Sequence, residues 1–158
     1  MKNYFCKDRI KFSAILLLLA FGEASAVDAA KNIQCKAEVQ HLIGSYQKAL
    51  NSSNTGKVVS LYTKNGVFMP SNKPTSIGVN QVKTAYQYVF KTLNLNVKFH
   101  IDEIECYGRI AFVRTRSDGN IKLIEKNITI KNNSRELFIL KRIVDQWKIY
   151  RYMFNEIN

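Results

Sequence analysis

One change of hydrophobic period divides this chain. Up to about Asn94 the apolar residues recur at three- and four-residue steps; beyond it they recur at every second residue. Helices first and strands afterwards is the order of an α+β domain, with three N-terminal helices gathered on one face of an antiparallel sheet. Val39, Leu42, Ile43, Tyr46, Ala49 and Leu50 form the apolar stripe of a first helix over about Asp28–Asn51, broken by Asn51-Ser52-Ser53-Asn54. A short second helix turns Val58, Val59, Leu61 and Tyr62 inward, and Gly66 stands where a helix C-cap glycine would. Val67-Phe68-Met69 is a brief strand stopped by Pro70. A third helix opens near Gly78 and carries Val82, Ala85, Tyr86, Val89 and Phe90.

The strand region begins with Leu95, Val97, Phe99 and Ile101 alternating with Asn96, Lys98, His100 and Asp102. Ile104 and Cys106 are out of phase with that set, which predicts a bulge near Asp102-Glu103. Tyr107-Gly108 turns the chain into a return strand, Arg109–Ser117, and Asp118-Gly119 reads as a hairpin turn. Ile121–Ile130 reads as a further strand. Two more strands follow, Ser134–Leu140 and Trp147–Asn155, and the second opens on the only tryptophan. Within the first, Glu136 sits among Leu137, Phe138, Ile139 and Leu140. Apolar residues of both parities put cover on both faces of that strand. The inner face packs on helices; the outer face is expected to meet a second copy of the chain in a homodimer. A turn at Asp145-Gln146 would place Arg151 and Met153 on the face of Glu136. A turn one residue longer would place Tyr150, Tyr152 and Phe154 there.

The first residues read as a segment to be removed. Lys2, Lys7, Arg9 and Lys11 precede an apolar run over Phe12–Phe21, and Ala24-Ser25-Ala26 follows. A basic start, a short apolar core and small residues at the cleavage positions are the pattern of a secretory signal, too short for a membrane span. Residues 1–26 are therefore expected to be a signal peptide and 27–158 a single domain, exported to the periplasm or medium. The net charge of +12 falls to about +10 once the signal's four bases and two acids are gone. The bases are scattered and follow no nucleic-acid-binding motif, so a basic solvated surface is expected rather than a nucleic-acid partner. Cys35 and Cys106 read as two separately buried thiols, with a disulfide the alternative that export would permit. There is no CxxC pair and the two His are far apart, so no metal site is expected. No cofactor motif is present either.

The order and spacing of several pieces resemble the nuclear transport factor 2-like, SnoaL-like superfamily over about Val39–Asn155. These pieces are Tyr46-x-x-Ala49-Leu50-Asn51, Leu61-Tyr62 ahead of Val67-Phe68-Met69-Pro70, and Gly78 opening the third helix. Arg135-Glu136-Leu137-Phe138 set against Trp147-Lys148-Ile149-x-Arg151-Tyr152-Met153-Phe154-Asn155 completes the set, and this last pair resembles a subgroup of small, often exported bacterial domains. The resemblance implies a cone: a strongly curved sheet wrapped around a long helix. It also implies a pocket for a small, largely apolar molecule. The superfamily hosts isomerases, dehydratases, cyclases and non-catalytic binding or dimerisation modules, so the fold names no reaction.

Members similar to ketosteroid isomerase hold an oxyanion with a Tyr on the first helix and an acid on a late strand. Tyr46 and Glu136 match those positions. Their base precedes the proline that ends the first strand, and here that residue is Met69, which takes no proton. His100 or Glu125 would supply a base only by pointing inward. Candidate catalytic groups are thus His100 and Glu136; candidate binding residues are Tyr46, Tyr62, Arg114, Glu136, Arg151 and Tyr152. Each has a plainer reading: core tyrosines with satisfied hydroxyls, a solvent-facing histidine, and an ion pair of Glu136 with Arg114 or Arg151.

Overall fold

The structure, a computed structural model, describes the backbone of residues 11–157 and the side chains of residues 26–157. The chain divides into two units, Met1–Cys35 and Lys36–Asn158. What is described of the first is helical, the leading part of α1 (Lys11–Asn51). The first ten residues of the expected signal lie outside the described residues. Among the described residues no helix is long and apolar enough to cross a membrane.

In the second unit the expected stripe of α1 is buried along its length, from Val39 at 0% exposure to Tyr46 at 1% and Leu50 at 6%. Helix α2 (Thr55–Ser60) starts on Asn54, whose side chain accepts a hydrogen bond from the Lys57 amide at 2.8 Å. Helix α3 (Gly78–Thr92) buries Val82 and Tyr86. The strands are β1 (Tyr62–Met69), β2 (Ser76–Ile77), β3 (Leu93–Tyr107), β4 (Ile110–Leu123), β5 (Ile128–Ile143) and β6 (Gln146–Glu156). They make one six-stranded, curved, unclosed sheet in the order β2-β1-β6-β5-β4-β3. The α+β cone is as expected, with one departure from a purely antiparallel sheet: β1 runs parallel to β6.

Helix α1 ties itself to the edge strand by side chains. The Asn51 amide donates to the Val97 carbonyl at 2.8 Å and its oxygen accepts from the Val97 amide at 2.9 Å. Gln47 accepts from the Phe99 amide at 2.8 Å. Backbone groups that an edge strand would otherwise leave open are thereby used, and the helix is held across the concave face.

Several boundaries differ from the sequence expectation, each for a local reason. Tyr62 begins β1 instead of closing α2, and Gly66 lies inside that strand. A Cβ at Gly66 would come within 2.8 Å of the Tyr62 ring, so the glycine serves close packing, not a helix cap. The bulge between Ile101 and Glu103 is present. Asp118-Gly119, expected as a turn, sits within β4, where Gly119 pairs with Val97 and Asn132. At Gly119 φ is +137°, and an added Cβ would meet the Asn96 carbonyl oxygen at 2.2 Å. Only glycine lets β3 approach β4 this closely. The true reversal is at residues 124–127, inside what reads as the single strand Ile121–Ile130, and Asn127 supplies the left-handed residue at φ 51°.

In the last hairpin the turn is Val144-Asp145, with Val144 at φ 55°. The register sets Glu136 opposite Phe154 and Phe138 opposite Tyr152, and a shift after Ile139 displaces Tyr150 from that row. Glu136 therefore shares its face with aromatic rings and not with Arg151. Cys35 and Cys106 are both disulfide-bonded, not free thiols.

Candidate functional site

Strand β5 presents Ser134, Glu136, Phe138 and Leu140 to the inside and Arg135 and Leu137 to the outside. On the inside, rings from five elements meet. Phe138 stacks on Tyr152 with centroids 4.2 Å apart, and Phe68 stacks on Tyr86 at 4.8 Å and on Tyr152 at 5.6 Å. Tyr46 meets Phe138 and Tyr152 edge-on. These rings fill most of the cone and leave a cavity of about 120 Å³. Tyr46, Glu136 and Tyr152 all line it. The cavity shares Phe68, Leu93, Phe154 and Glu156 with a wider vestibule of about 770 Å³ between α3 and the loop around Pro70 and Pro74.

Glu136 is 4% exposed. Its carboxyl accepts hydrogen bonds from Thr115 Oγ1 and Ser117 Oγ, both at 2.5 Å, and the Asn132 amide donates to Ser117 Oγ at 3.1 Å. Burial pushes the Glu136 carboxyl above the ordinary glutamate value, and the two hydroxyl donors oppose this. The charge of Asp102 adds to the upward push. At the other polar point of the core, the Tyr86 hydroxyl lies 2.5 Å from that of Tyr46 and 2.9 Å from that of Tyr62. Burial raises all three phenols above their ordinary value, so they stay neutral and can act as donors.

The structure brings together three of the expected site residues, Tyr46, Glu136 and Tyr152, and places Tyr62 next to them through Tyr86. It separates the others. Arg114 is on the outer face, bonded to Asp102 at 3.0 Å and Glu103 at 3.2 Å. The Arg151 guanidinium lies 3.6 Å over the Tyr150 ring and donates to the Tyr150 carbonyl at 2.8 Å. His100 pairs with Asp118 at 3.0 Å away from the cavity, and Glu125 is exposed in the turn after β4. Neither lines the cavity, and Met69 ends β1 with no ionisable group. Trp147 donates to Glu38 at 3.0 Å, a structural contact that Arg142 extends at 3.3 Å.

Thr115, Ser117, Asn132, Tyr86 and Glu156 are site residues that sequence reasoning missed. Tyr86 was visible only as part of a core stripe. Ser117 and Asn132 were hidden by the misplaced turn at Asp118-Gly119: with continuous strands there, both fall on the row that faces inward. Among the described residues no three His, Cys, Asp or Glu side chains gather as a metal site would require.

No protein-family model matches this chain, and no curated protein does. Solved structures match over most of its length. A ketosteroid isomerase-like protein from Erwinia carotovora atroseptica superposes with a TM-score of 0.74 at 25% identity, covering 77% of this chain and 95% of that one. A candidate scytalone dehydratase from Novosphingobium aromaticivorans gives 0.69 at 12% identity, covering 80% and 86%. A candidate dehydratase of the nuclear transport factor 2-like family from Streptomyces avermitilis gives 0.66 at 12%, covering 77% and 95%. The sheet order, the long helix held across its concave face and these superpositions agree: this chain has the nuclear transport factor 2-like, SnoaL-like cone fold.

Proposed function

We propose that this is an exported domain that binds a small, largely apolar molecule in its cone. The carrying observation is a buried carboxyl, Glu136, that faces an aromatic cavity opening into an apolar vestibule. A ligand body rests against Val89 and Leu93 in the vestibule, and a polar end is directed toward the inner cavity that Glu136 lines. No reaction is assigned.

The test is binding of a neutral apolar dye, Nile red, followed by fluorescence. The chain is expected to bind it, and Ala85→Trp, which fills the vestibule, to weaken binding at least about tenfold. Equal binding by the two proteins would place the dye elsewhere and remove the proposal. Glu136→Gln tests the carboxyl separately. A folded-state value raised above the unfolded one means that Glu136 stabilises the fold below its unfolded value and loses that contribution as pH rises through the folded value. Glu136→Gln is therefore expected to melt a few degrees higher than the natural chain at pH 7, the gap closing toward pH 4. A variant that melts lower at pH 7 would show that the ionised carboxyl is favourably held.

The outer face favours a homodimer. Leu137 and Met153 are direct cross-strand partners, and Phe112 lies nearby on β4, each about two-fifths exposed. Sedimentation is expected to show a dimer that Leu137→Arg converts to a folded monomer. A natural chain that sediments as a monomer at high micromolar concentration would exclude it.

A further inference from the structure

The charge lining the cavity is opposite in sign to the charge of the chain. The protein carries +12, yet the only charged side chains among the residues lining the inner cavity are two glutamates, Glu136 and Glu156. The register explains their proximity. Glu136 pairs with Phe154, and Glu156 pairs with Ser134, so the two glutamates are diagonal neighbours on one face of the β5–β6 ladder. Glu156 is exposed where the inner cavity opens into the vestibule, and it lines both. Among the described residues its carboxylate makes no hydrogen bond or ion pair.

The surfaces beside it are ring faces. Phe154 stacks near Tyr152 at 5.9 Å and near Phe68 at 6.2 Å. An unpartnered carboxylate next to aromatic faces suits one kind of group, a positively charged nitrogen, which a ring face and a carboxylate both attract. The same carboxylate disfavours an anion. The one cation lining the vestibule, Lys73, is exposed on the loop and is not among the residues lining the inner cavity.

Building on the ligand-binding reading above, we propose that the ligand is an organic cation: an apolar amine whose ammonium sits between Glu156 and the Phe154 ring, with its hydrocarbon body in the vestibule. The long-range field of a strongly basic protein works against such a ligand, so a preference for the cation has to arise from the local site.

Three probes with one body test this by titration calorimetry at pH 7: naphthylmethylamine, naphthylmethanol and naphthoate. The amine is expected to bind about tenfold more tightly than the alcohol, and naphthoate more weakly than either. Glu156→Gln is expected to abolish the advantage of the amine, so that amine and alcohol bind alike; Glu156 is exposed at a strand end, so the variant keeps the fold. If the alcohol binds as well as the amine, or the amine keeps its advantage in Glu156→Gln, the cation assignment is wrong and the ligand-binding reading stands. If none of the three binds, both are wrong.

Discussion

Phe138→Ala is expected to remove about 3–5 kcal/mol of stability, the largest loss from any single truncation in the cone. Phe138 has no exposed surface, stacks on Tyr152 at 4.2 Å, and meets Tyr46 and Phe99 at 5.7 and 6.0 Å. Its neighbours are held by the β5 ladder on one side and α1 on the other, so they cannot collapse into the space it would leave. Urea denaturation measures the effect as a lowered midpoint with an unchanged slope. On heating, the midpoint should fall by about 10 °C or more. Phe138→Leu, which keeps most of the volume, should cost far less. Equal losses in the two variants would mean that the ring environment, and not the filled volume, carries the stability.

Tyr86→Phe is expected to cost about 2–4 kcal/mol although it removes one oxygen and leaves the ring in place. The Tyr86 hydroxyl is the shared partner of the Tyr46 and Tyr62 hydroxyls, and all three side chains are at most 5% exposed. Its loss takes the Tyr86 partner from two buried hydroxyls, each at about 1–2 kcal/mol. Tyr62→Phe removes a terminal hydroxyl of the same cluster and should cost about 1 kcal/mol. Chemical denaturation of the two variants side by side checks the point. If Tyr62→Phe is as damaging as Tyr86→Phe, Tyr86 is not the hub of the cluster.

Both predictions concern residues whose importance was only partly readable before the structure. From the sequence, Phe138 and Tyr86 read as apolar positions on a strand and a helix. That Phe138 would stack on Tyr152 depended on the register of the last hairpin. One residue of slip there exchanges Tyr152 and Phe154 for Arg151 and Met153, and the hydrophobic pattern of β6 tolerates both arrangements. The shift after Ile139 and the left-handed Val144 settle it, and both are products of packing between strands.

Asp118-Gly119 shows the same limit from another side. A short window around this dipeptide carries a strong turn signal, because it contains no information about the strand beside it. The close approach of β3 requires the glycine and keeps the chain extended through it. Ser117 and Asn132 then face inward and serve Glu136.

What the sequence determined by itself was the class and order of elements: helices before strands, the buried stripe of α1 and the bulge near Asp102. These follow from periodicity, a short-range property written along the chain. Only the tertiary structure decided which groups meet. It set Glu136 among rings and hydroxyls instead of arginines, put His100 outside, and brought Glu156 to the mouth of the cavity. Those outcomes depend on register and on contacts between residues far apart in the chain, where one step of slip turns a side chain from one face of the sheet to the other.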